Sequence, residues 1–317
     1  MSQKKILLLG GAGYKGAVLT EYLLTKGFKV RVIDNFWFGN RLENHDNLEI
    51  VNKDIRDLKS DSFKDVEQVI HLANIANDPT ASLDPLLSWE VNVLASIKIC
   101  NLCKNNDIKQ LIFASSGSVY GVKKELEVTE DLELIPISIY NKTKMVAERI
   151  FLSFKEDFKV HCIRPATVCG YSKRMRLDVA VNMLTYQALS LGKMTVFGGE
   201  QIRPNINIHD IKNLYEFFLK NNETIDSGCY NAGFENLSII EIAELINMKI
   251  PSKIEVTKSD DIRSYRLSSK KLLSLGFKNK HTVEMAVNEI IQAFENKLII
   301  NEDVNSNINW MKKNKFN

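Results

Sequence analysis

Seven residues, Gly10-Gly11-Ala12-Gly13-Tyr14-Lys15-Gly16, join the apolar run Ile6-Leu7-Leu8-Leu9 to the helix-period stretch Ala17 to Lys26. A strand that turns into a helix in this way leaves unpaired backbone N–H groups at the helix start, where the helix dipole also favours negative charge. Glycine lets a pyrophosphate approach the main chain, so Gly10, Gly13 and Gly16 predict a dinucleotide-binding turn. A second apolar strand, Lys29-Val30-Arg31-Val32-Ile33, ends in Asp34. A carboxylate there accepts hydrogen bonds from a ribose 2′-hydroxyl and repels a 2′-phosphate, which favours NAD over NADP. Glycine-rich turns are common, and the strand before, the helix after and the acid at the next strand end are what make this one specific. Lys15 stands where an apolar side chain packs more naturally. It either contacts a phosphate or lies in solvent, and it leaves an opening for NADP.

Apolar runs alternate with helix-period stretches through the first half of the 317 residues, the pattern of βαβ units and a parallel sheet. The spacing predicts strands near 5–9, 29–33, 48–51, 68–72, 110–115 and 159–164, and helices near 14–26, 60–64, 84–105 and 138–156. Right-handed crossovers then give an α/β, Rossmann-type doubly wound parallel sheet with its ligand crevice at the strand carboxyl ends. Beyond residue 165 the pattern loosens into helices near 176–191, 209–220, 238–246 and 282–295 and a short strand at 194–197. We therefore expect an NAD-binding domain over 1–168 with a returning segment near 203–232, a smaller C-terminal substrate-binding α/β region over 169–300, and a loosely held polar tail over 301–317.

The 42 basic and 39 acidic side chains give a net charge of +3 and are scattered along the chain, so neither nucleic acid nor a charged membrane is an expected partner. No apolar run approaches the ~20 residues that a bilayer requires, and the N-terminal run reads as the first strand rather than a signal peptide. Five cysteines, odd in number and uneven in spacing, suit reduced thiols in a cytoplasm. Cys100 and Cys103 share one apolar helix face with no second ligand pair nearby, which predicts packing rather than a metal.

The strand Gln110 to Ala114 ends in Ser115-Ser116-Gly117-Ser118-Val119-Tyr120-Gly121, and a helix beginning near Ser138 carries Tyr140-Asn141-Lys142-Thr143-Lys144. One helical turn separates Tyr140 from Lys144, so both project from one face. An adjacent ammonium and the positive nicotinamide ring can both draw a phenol's pKa down from about 10. The pairs Tyr22/Lys26 and Tyr120/Lys124 share the spacing, but only Tyr140/Lys144 starts its own helix after a serine at a strand end.

With these residues the chain resembles the extended short-chain dehydrogenase/reductase family, in particular its NAD-dependent sugar-nucleotide epimerases and dehydratases. The likeness rests on the Gly10–Gly16 turn, Asp34-Asn35, Asp54-Ile55-Arg56-Asp57, His71-Leu72-Ala73, Asn92-Val93, the serine turn, Tyr140 to Lys144, and Arg164 to Gly170. It implies NAD held by the turn, including Tyr14 and Lys15, and by Asp34 and Asn35, with Asp54 and Ile55 beside the adenine. Leu72 and Ala73 then line the nicotinamide side, Asn92 lies near the catalytic helix, and Lys144 also holds the nicotinamide ribose. Read without the family, Asp54 is a solvated loop acid, Asn92 a helix-surface amide, and His71 a residue that packs at a strand end.

The resemblance further implies that Tyr140 takes a proton from a sugar hydroxyl as hydride leaves C4, with Ser116 hydrogen-bonding the same oxygen. Dehydrating relatives carry an acid pair where this chain has Gly117 and Ser118, which argues for epimerisation or C4 redox chemistry. Ser118 and Thr167 are implied as sugar contacts, and Asn182, Arg203 and Arg263 as grips on the nucleoside diphosphate. Asn182 also reads as a helix-face amide and Arg203 as a turn arginine. The stretch Arg174-Met175-Arg176-Leu177-Asp178 resembles a bacterial subgroup acting on surface-polysaccharide sugar nucleotides, GDP-heptose 4-dehydrogenase-like enzymes among them, and makes Arg176 a candidate for sugar or phosphate. The expected activity is a nucleoside diphosphate sugar 4-epimerase, with a 4-dehydrogenase or ketoreductase as the alternative and a non-catalytic NAD-binding regulator further behind. Resemblance also suggests a homodimer through the helices near 84–105 and 138–156.

Overall fold

The computed structural model describes residues 4–258, 264–300 and 302–314. Its strands are β1 (Lys5–Leu9), β2 (Val30–Asp34), β3 (Leu48–Asn52), β4 (Val66–His71), β5 (Gln110–Ala114), β6 (Lys159–Pro165), β7 (Thr167–Cys169), β8 (Lys193–Phe197), β9 (Ile202–Asn207), β10 (Gly228–Ala232), β11 (Glu235–Ser238) and β12 (Lys253–Thr257). Seven of them form one parallel sheet in the order β10-β6-β5-β4-β1-β2-β3. The fold is a Rossmann-type α/β sheet. Along β1, Ile6 and Leu8 enter one core while Leu7 and Leu9 enter the core on the opposite face. That two-sided burial explains why the strand reads as an unbroken apolar run rather than an alternating one.

Strand order reverses between β1 and β4, which pair with Leu9 opposite His71. Chains leaving the two strands therefore diverge to opposite sides and open a crevice at their carboxyl ends. β10 joins the far edge beside β6. The remaining strands make two small sheets, β11-β9-β7 and β12-β8, and a third core packs the helices Ala180–Leu191, Ile239–Lys249 and Val283–Glu295 together.

Several elements differ from the periodicity reading. Residues 60–64 form only a 3-10 turn, Ser60–Phe63. The helix expected over 84–105 is interrupted by a π turn at Glu90–Leu94 between Pro85–Trp89 and Ala95–Asn105. This interrupted stretch of 21 residues is long and apolar enough to cross a membrane by length and composition, contrary to expectation, yet more than half of its most apolar part is buried in the fold. The helix expected from 176 begins at Ala180, leaving the residues just before it outside the helix at the crevice. The tail is also a correction: Asn307–Lys313 is a helix capped by Ser306, with Met311 buried and Trp310 stacked on Trp37. Its polar composition concealed this because its docking partners lie far away in the chain. Cys100 and Cys103 are buried together in the core, and all five cysteines are free thiols.

A buried ion pair fastens the Ile139–Leu152 helix to the sheet. Arg164 on β6 donates to both carboxylate oxygens of Glu148 at 2.9 and 2.8 Å, and to the Tyr120 hydroxyl at 2.7 Å. Tyr120 in turn donates to Asn231 on β10. Removing one partner strands a charge in the interior, so Glu148→Ala is expected to lose about 3–5 kcal/mol in urea unfolding. A loss below about 1 kcal/mol, the level of a surface pair, contradicts this account.

Candidate active site

Gly10, with φ of +84°, lies so near the strand-end turn of β4 that a Cβ on it meets Ala73 N at 2.5 Å. A Cβ on Gly16 meets Gly10 O at 2.2 Å. Gly13 is different, because its Cβ comes no closer than 3.5 Å to other protein atoms. Gly10 and Gly16 are required by the fold, whereas glycine at Gly13 leaves room for something outside it. The helix that follows, Tyr14–Thr25, has neither a side-chain cap nor an acidic residue in its first turn, so its first N–H groups are free for an anion. These features fit a dinucleotide pyrophosphate.

Gly10, Gly13, Tyr14, Lys15, Gly16, Asp34, Asn35, Asp54, Ile55, Leu72 and Ala73 all line one cavity above this turn. The Asp34 carboxylate accepts from Ala12 N at 3.0 Å and Phe36 N at 2.9 Å, which aims it across the crevice. Burial raises its pKa, opposed by those amides and the Arg174 guanidinium. Asp54 is held by Arg56 and Asn35 rather than free in a loop. Lys15 turns into the crevice, and burial and then Arg176 lower its pKa to about 8. An ammonium depressed in this way is poised to take an anionic partner.

Asn92 lies beside the Ile139–Leu152 helix as expected, but its expected place among the cofactor contacts is a correction. It is fully buried on the π turn, where its amide accepts from Ile75 N at 2.9 Å and donates to Ile75 O and to Thr143 Oγ1. It braces the crevice loop against the Ile139–Leu152 helix and is not among the cavity's lining residues. His71 packs between the rings of Phe113 and Phe151, and burial lowers its pKa to about 3.

A second cavity adjoins the first and is lined by Ser116, Ser118, Tyr140, Lys144, Thr167, Arg176 and Arg203. Ser138 caps the Ile139–Leu152 helix by accepting from Asn141 N, placing Tyr140 in its first turn. The Ser116 side chain lies near enough to Tyr140 to favour its phenolate. Ser116 and Ser118 share a hydrogen bond of 2.7 Å, and Ser118 Oγ donates to Asn141 Oδ1 at 2.7 Å. Because that amide oxygen only accepts, the Ser118 proton points to it, which leaves Ser116 donating to Ser118 and able to accept from the phenol.

Lys144 is buried, donates to the carbonyl of Ala114, and stands 4.7 Å from the Phe113 ring and 5.8 Å from the Tyr140 ring. Burial, with Lys15 nearby, holds its pKa well below the usual lysine range. Within the protein alone, burial and then Asp78 push Tyr140 up to about 12, opposed by Arg176 and Ser116.

Asn182 is the other correction. It is fully buried, accepting from Gly170 N at 3.0 Å and donating to the Tyr14 hydroxyl and Arg176 O, so it holds the crevice wall together from behind and has no free amide for a diphosphate. Arg263 lies outside the described residues. Sequence reasoning missed Trp37, Phe38 and Asn307 in the first cavity and Asn77, Asp78, Phe197 and Tyr265 in the second. None belongs to a motif, though the positive φ of 75° at Asn77 matches the tolerance of asparagine for that conformation. Among the described residues no group of three or more His, Cys, Asp or Glu side chains is disposed to hold a metal.

A family model described as the NAD dependent epimerase/dehydratase family matches residues 6–233. The chain belongs to this family. Its cofactor is accordingly NAD, a dinucleotide that the turn, Asp34 and the cavity above them fit. A UDP-glucose 4-epimerase from Lactobacillus helveticus is 29% identical over 305 residues, covering 87% of this chain and 92% of the relative. A UDP-glucuronic acid decarboxylase 1 from Danio rerio is 28% identical over 93% of this chain and 74% of its own length. Among solved structures, the UDP-N-acetylglucosamine 4-epimerase from Methanobrevibacter ruminantium M1, in complex with UDP-N-acetylmuramic acid, superposes with a TM-score of 0.85 at 26% identity over 94% of this chain and 100% of that one.

Gly13→Ala is expected to leave the NAD-free protein's urea midpoint unchanged and to weaken NAD binding roughly tenfold or more in calorimetry, since the added methyl occupies only ligand space. Equal NAD affinity in the variant contradicts the placement of the pyrophosphate. Lys144→Met is expected to abolish turnover yet gain about 1 kcal/mol of stability near neutral pH, because an apolar chain of similar length replaces a buried cation. The sign follows from the depressed ammonium: the unfolded chain binds the proton up to about 10.4, so the wild type gains stability as pH rises toward that value. The advantage of Lys144→Met in unfolding titrations is therefore expected to shrink at alkaline pH.

Proposed function

We propose that this protein is an NAD-dependent 4-epimerase of a nucleoside diphosphate sugar, working through a 4-keto intermediate. The observation that carries the reading is that Ser116, Tyr140 and Lys144 line one substrate-side cavity, which shares Tyr14, Lys15 and Arg176 with the cofactor-side cavity beside it. Tyr140 would act as the phenolate, which the Lys144 ammonium and the positive nicotinamide ring favour once NAD is bound; its Oη then takes the proton from the sugar C4 hydroxyl, while Ser116 turns its own proton from Ser118 to the same oxygen as it becomes a carbonyl. NAD supplies the hydride acceptor and, in the return step, the donor. Lys144 holds the nicotinamide ribose, while Lys15, Arg176 and Arg203 supply cations for phosphate or sugar oxygens.

Elimination needs a free acid near the sugar, and the strand-end motif offers only Gly117 and Ser118. The carboxylates in the second cavity are engaged: Asp78 accepts from Ser138 Oγ, and Asp178 accepts from Arg176, Asn77 and Asn307 N. The M. ruminantium and L. helveticus relatives support 4-epimerisation and make UDP sugars the first substrates to try. A sugar-nucleotide 4-dehydrogenase or ketoreductase is the second reading, favoured by the placement of the Arg174–Asp178 stretch against both cavities. The same stretch supports a role in surface-polysaccharide sugar biosynthesis. A regulator without catalysis is disfavoured because serine, tyrosine and lysine converge.

Five free thiols suit a cytoplasmic setting. A homodimer is supported by Leu86, Leu94 and Ile97, which expose 71%, 59% and 43% of their surface beside the catalytic helix, whereas Ile99 and Phe151 lie in the core. Light scattering tests it. Incubation with UDP-glucose, UDP-galactose and their N-acetyl and uronic acid counterparts separates the catalytic readings. An epimerase exchanges C4 stereochemistry by NMR without net change in reduced-nicotinamide absorbance, whereas a dehydrogenase accumulates that absorbance. Tyr140→Phe is expected to abolish turnover while sparing NAD affinity; full activity in that variant overturns the assignment.

A further inference from the structure

The cofactor cavity has a wall that the family match, ending at residue 233, does not include. Asn307, the first residue of the Asn307–Lys313 helix, is 4% exposed and lines the cavity. It accepts from the Arg174 guanidinium, donates its backbone N–H to Asp178 at 3.0 Å, and donates its side-chain amide to Ala76 O at 3.5 Å. Leu177 N donates to Asn305 O at 2.7 Å. Three residues further along the same helix, Trp310 lies 5.9 Å from Trp37 and 4.8 Å from Phe38, ring to ring. The segment is stitched to the two loops that face each other across the cofactor cavity.

Arg174 is the link. It is 2% exposed, lies 4.0 Å over the Phe38 ring, and is near enough to Asp34 to oppose the effect of burial on that carboxyl. Its Nη atoms bond to Asn307 and to Met175 O, but Nε is buried without a hydrogen-bond partner. A guanidinium that Asn307 holds in place with an open donor, in the wall beside the ribose-facing Asp34, is incomplete without a ligand acceptor. Burial lowers its pKa to about 9, as expected for a cation that lacks a full set of partners.

We propose that residues 302–314 are part of the NAD site: through Asn307 and Trp310 they hold Arg174 and Phe38 against the adenosine half of the cofactor and keep it from leaving. This assignment rests on NAD binding alone and not on which sugar reaction the enzyme performs. A helix that merely covers an apolar patch has no reason to fix a half-satisfied guanidinium in the cofactor wall.

The test uses full-length protein stripped of nucleotide. Asn307→Ala and Trp310→Ala are each expected to weaken NAD binding in calorimetry by roughly tenfold or more, and to speed its release by a similar factor. ADP-ribose, which carries the adenosine half without nicotinamide, is expected to lose affinity equally, and nicotinamide mononucleotide is expected to be unaffected. Variants that fold and bind NAD and ADP-ribose as the wild type does overturn the proposal. Should either variant fail to fold, hydrogen exchange on the unaltered protein decides the matter. Saturating ADP-ribose is expected to slow exchange at the amides of 303–313 and of 36–41, and unchanged exchange at 303–313 overturns the assignment.

Discussion

Two backbones meet where β1 and β4 end, and the active site is built outward from that meeting. Leu72 N and Ala73 N both donate to Leu9 O, at 2.8 and 2.9 Å, so the turn after β4 presses against Gly10. Only glycine leaves space for that approach. Once the strands part there, the Tyr14–Thr25 helix starts on one side with its N–H groups facing the gap, and Asn74 to Asp78 run along the other. Asn92 then braces this second wall to the helix that carries Tyr140 and Lys144. The distance between the cofactor turn and the Ile139–Leu152 helix is thus set by main-chain hydrogen bonds and by the Asn92 amide, not by Tyr140 or Lys144.

Positive charge is concentrated in the resulting crevice. Lys15 and Lys144 each feel the other or a neighbouring cation, and both are depressed by burial. Arg176 is matched by Asp178, with which it makes a 2.8 Å ion pair, but its Nη2 remains buried and unpartnered. Such an arrangement is unfavourable in isolation and becomes favourable when a ligand brings phosphate oxygens. Binding and folding are therefore in tension here, as is usual where groups are held ready for a ligand.

The fold was legible because its signals are local. The apolar run of β1, the glycine turn and the acid after β2 each follow from what a few adjacent residues can do, and the Tyr140–Lys144 spacing follows from helix geometry. What was not legible depends on contacts between distant segments. Asn92 and Asn182 are amides at motif positions, and nothing local tells a ligand-binding amide from one spent on Ile75 or Gly170. The phenol of Tyr140 depends on burial and on Asp78, which reaches it from another loop. The π turn at Glu90–Leu94 shifts the phase of an apparently continuous helix, and the 302–314 segment is polar in composition yet ordered by Arg174, Trp37 and Phe38.

The corner where that last segment docks has an optical consequence. Of the three tryptophans in the chain, Trp37 and Trp310 stack there with ring planes 24° apart, beside the wall of the cofactor cavity. Two of the three ultraviolet-excited tryptophans of the unlabelled protein thus sit at one spot, with Trp89 elsewhere. Evolution has left the enzyme carrying its own fluorophore pair at the cofactor's door.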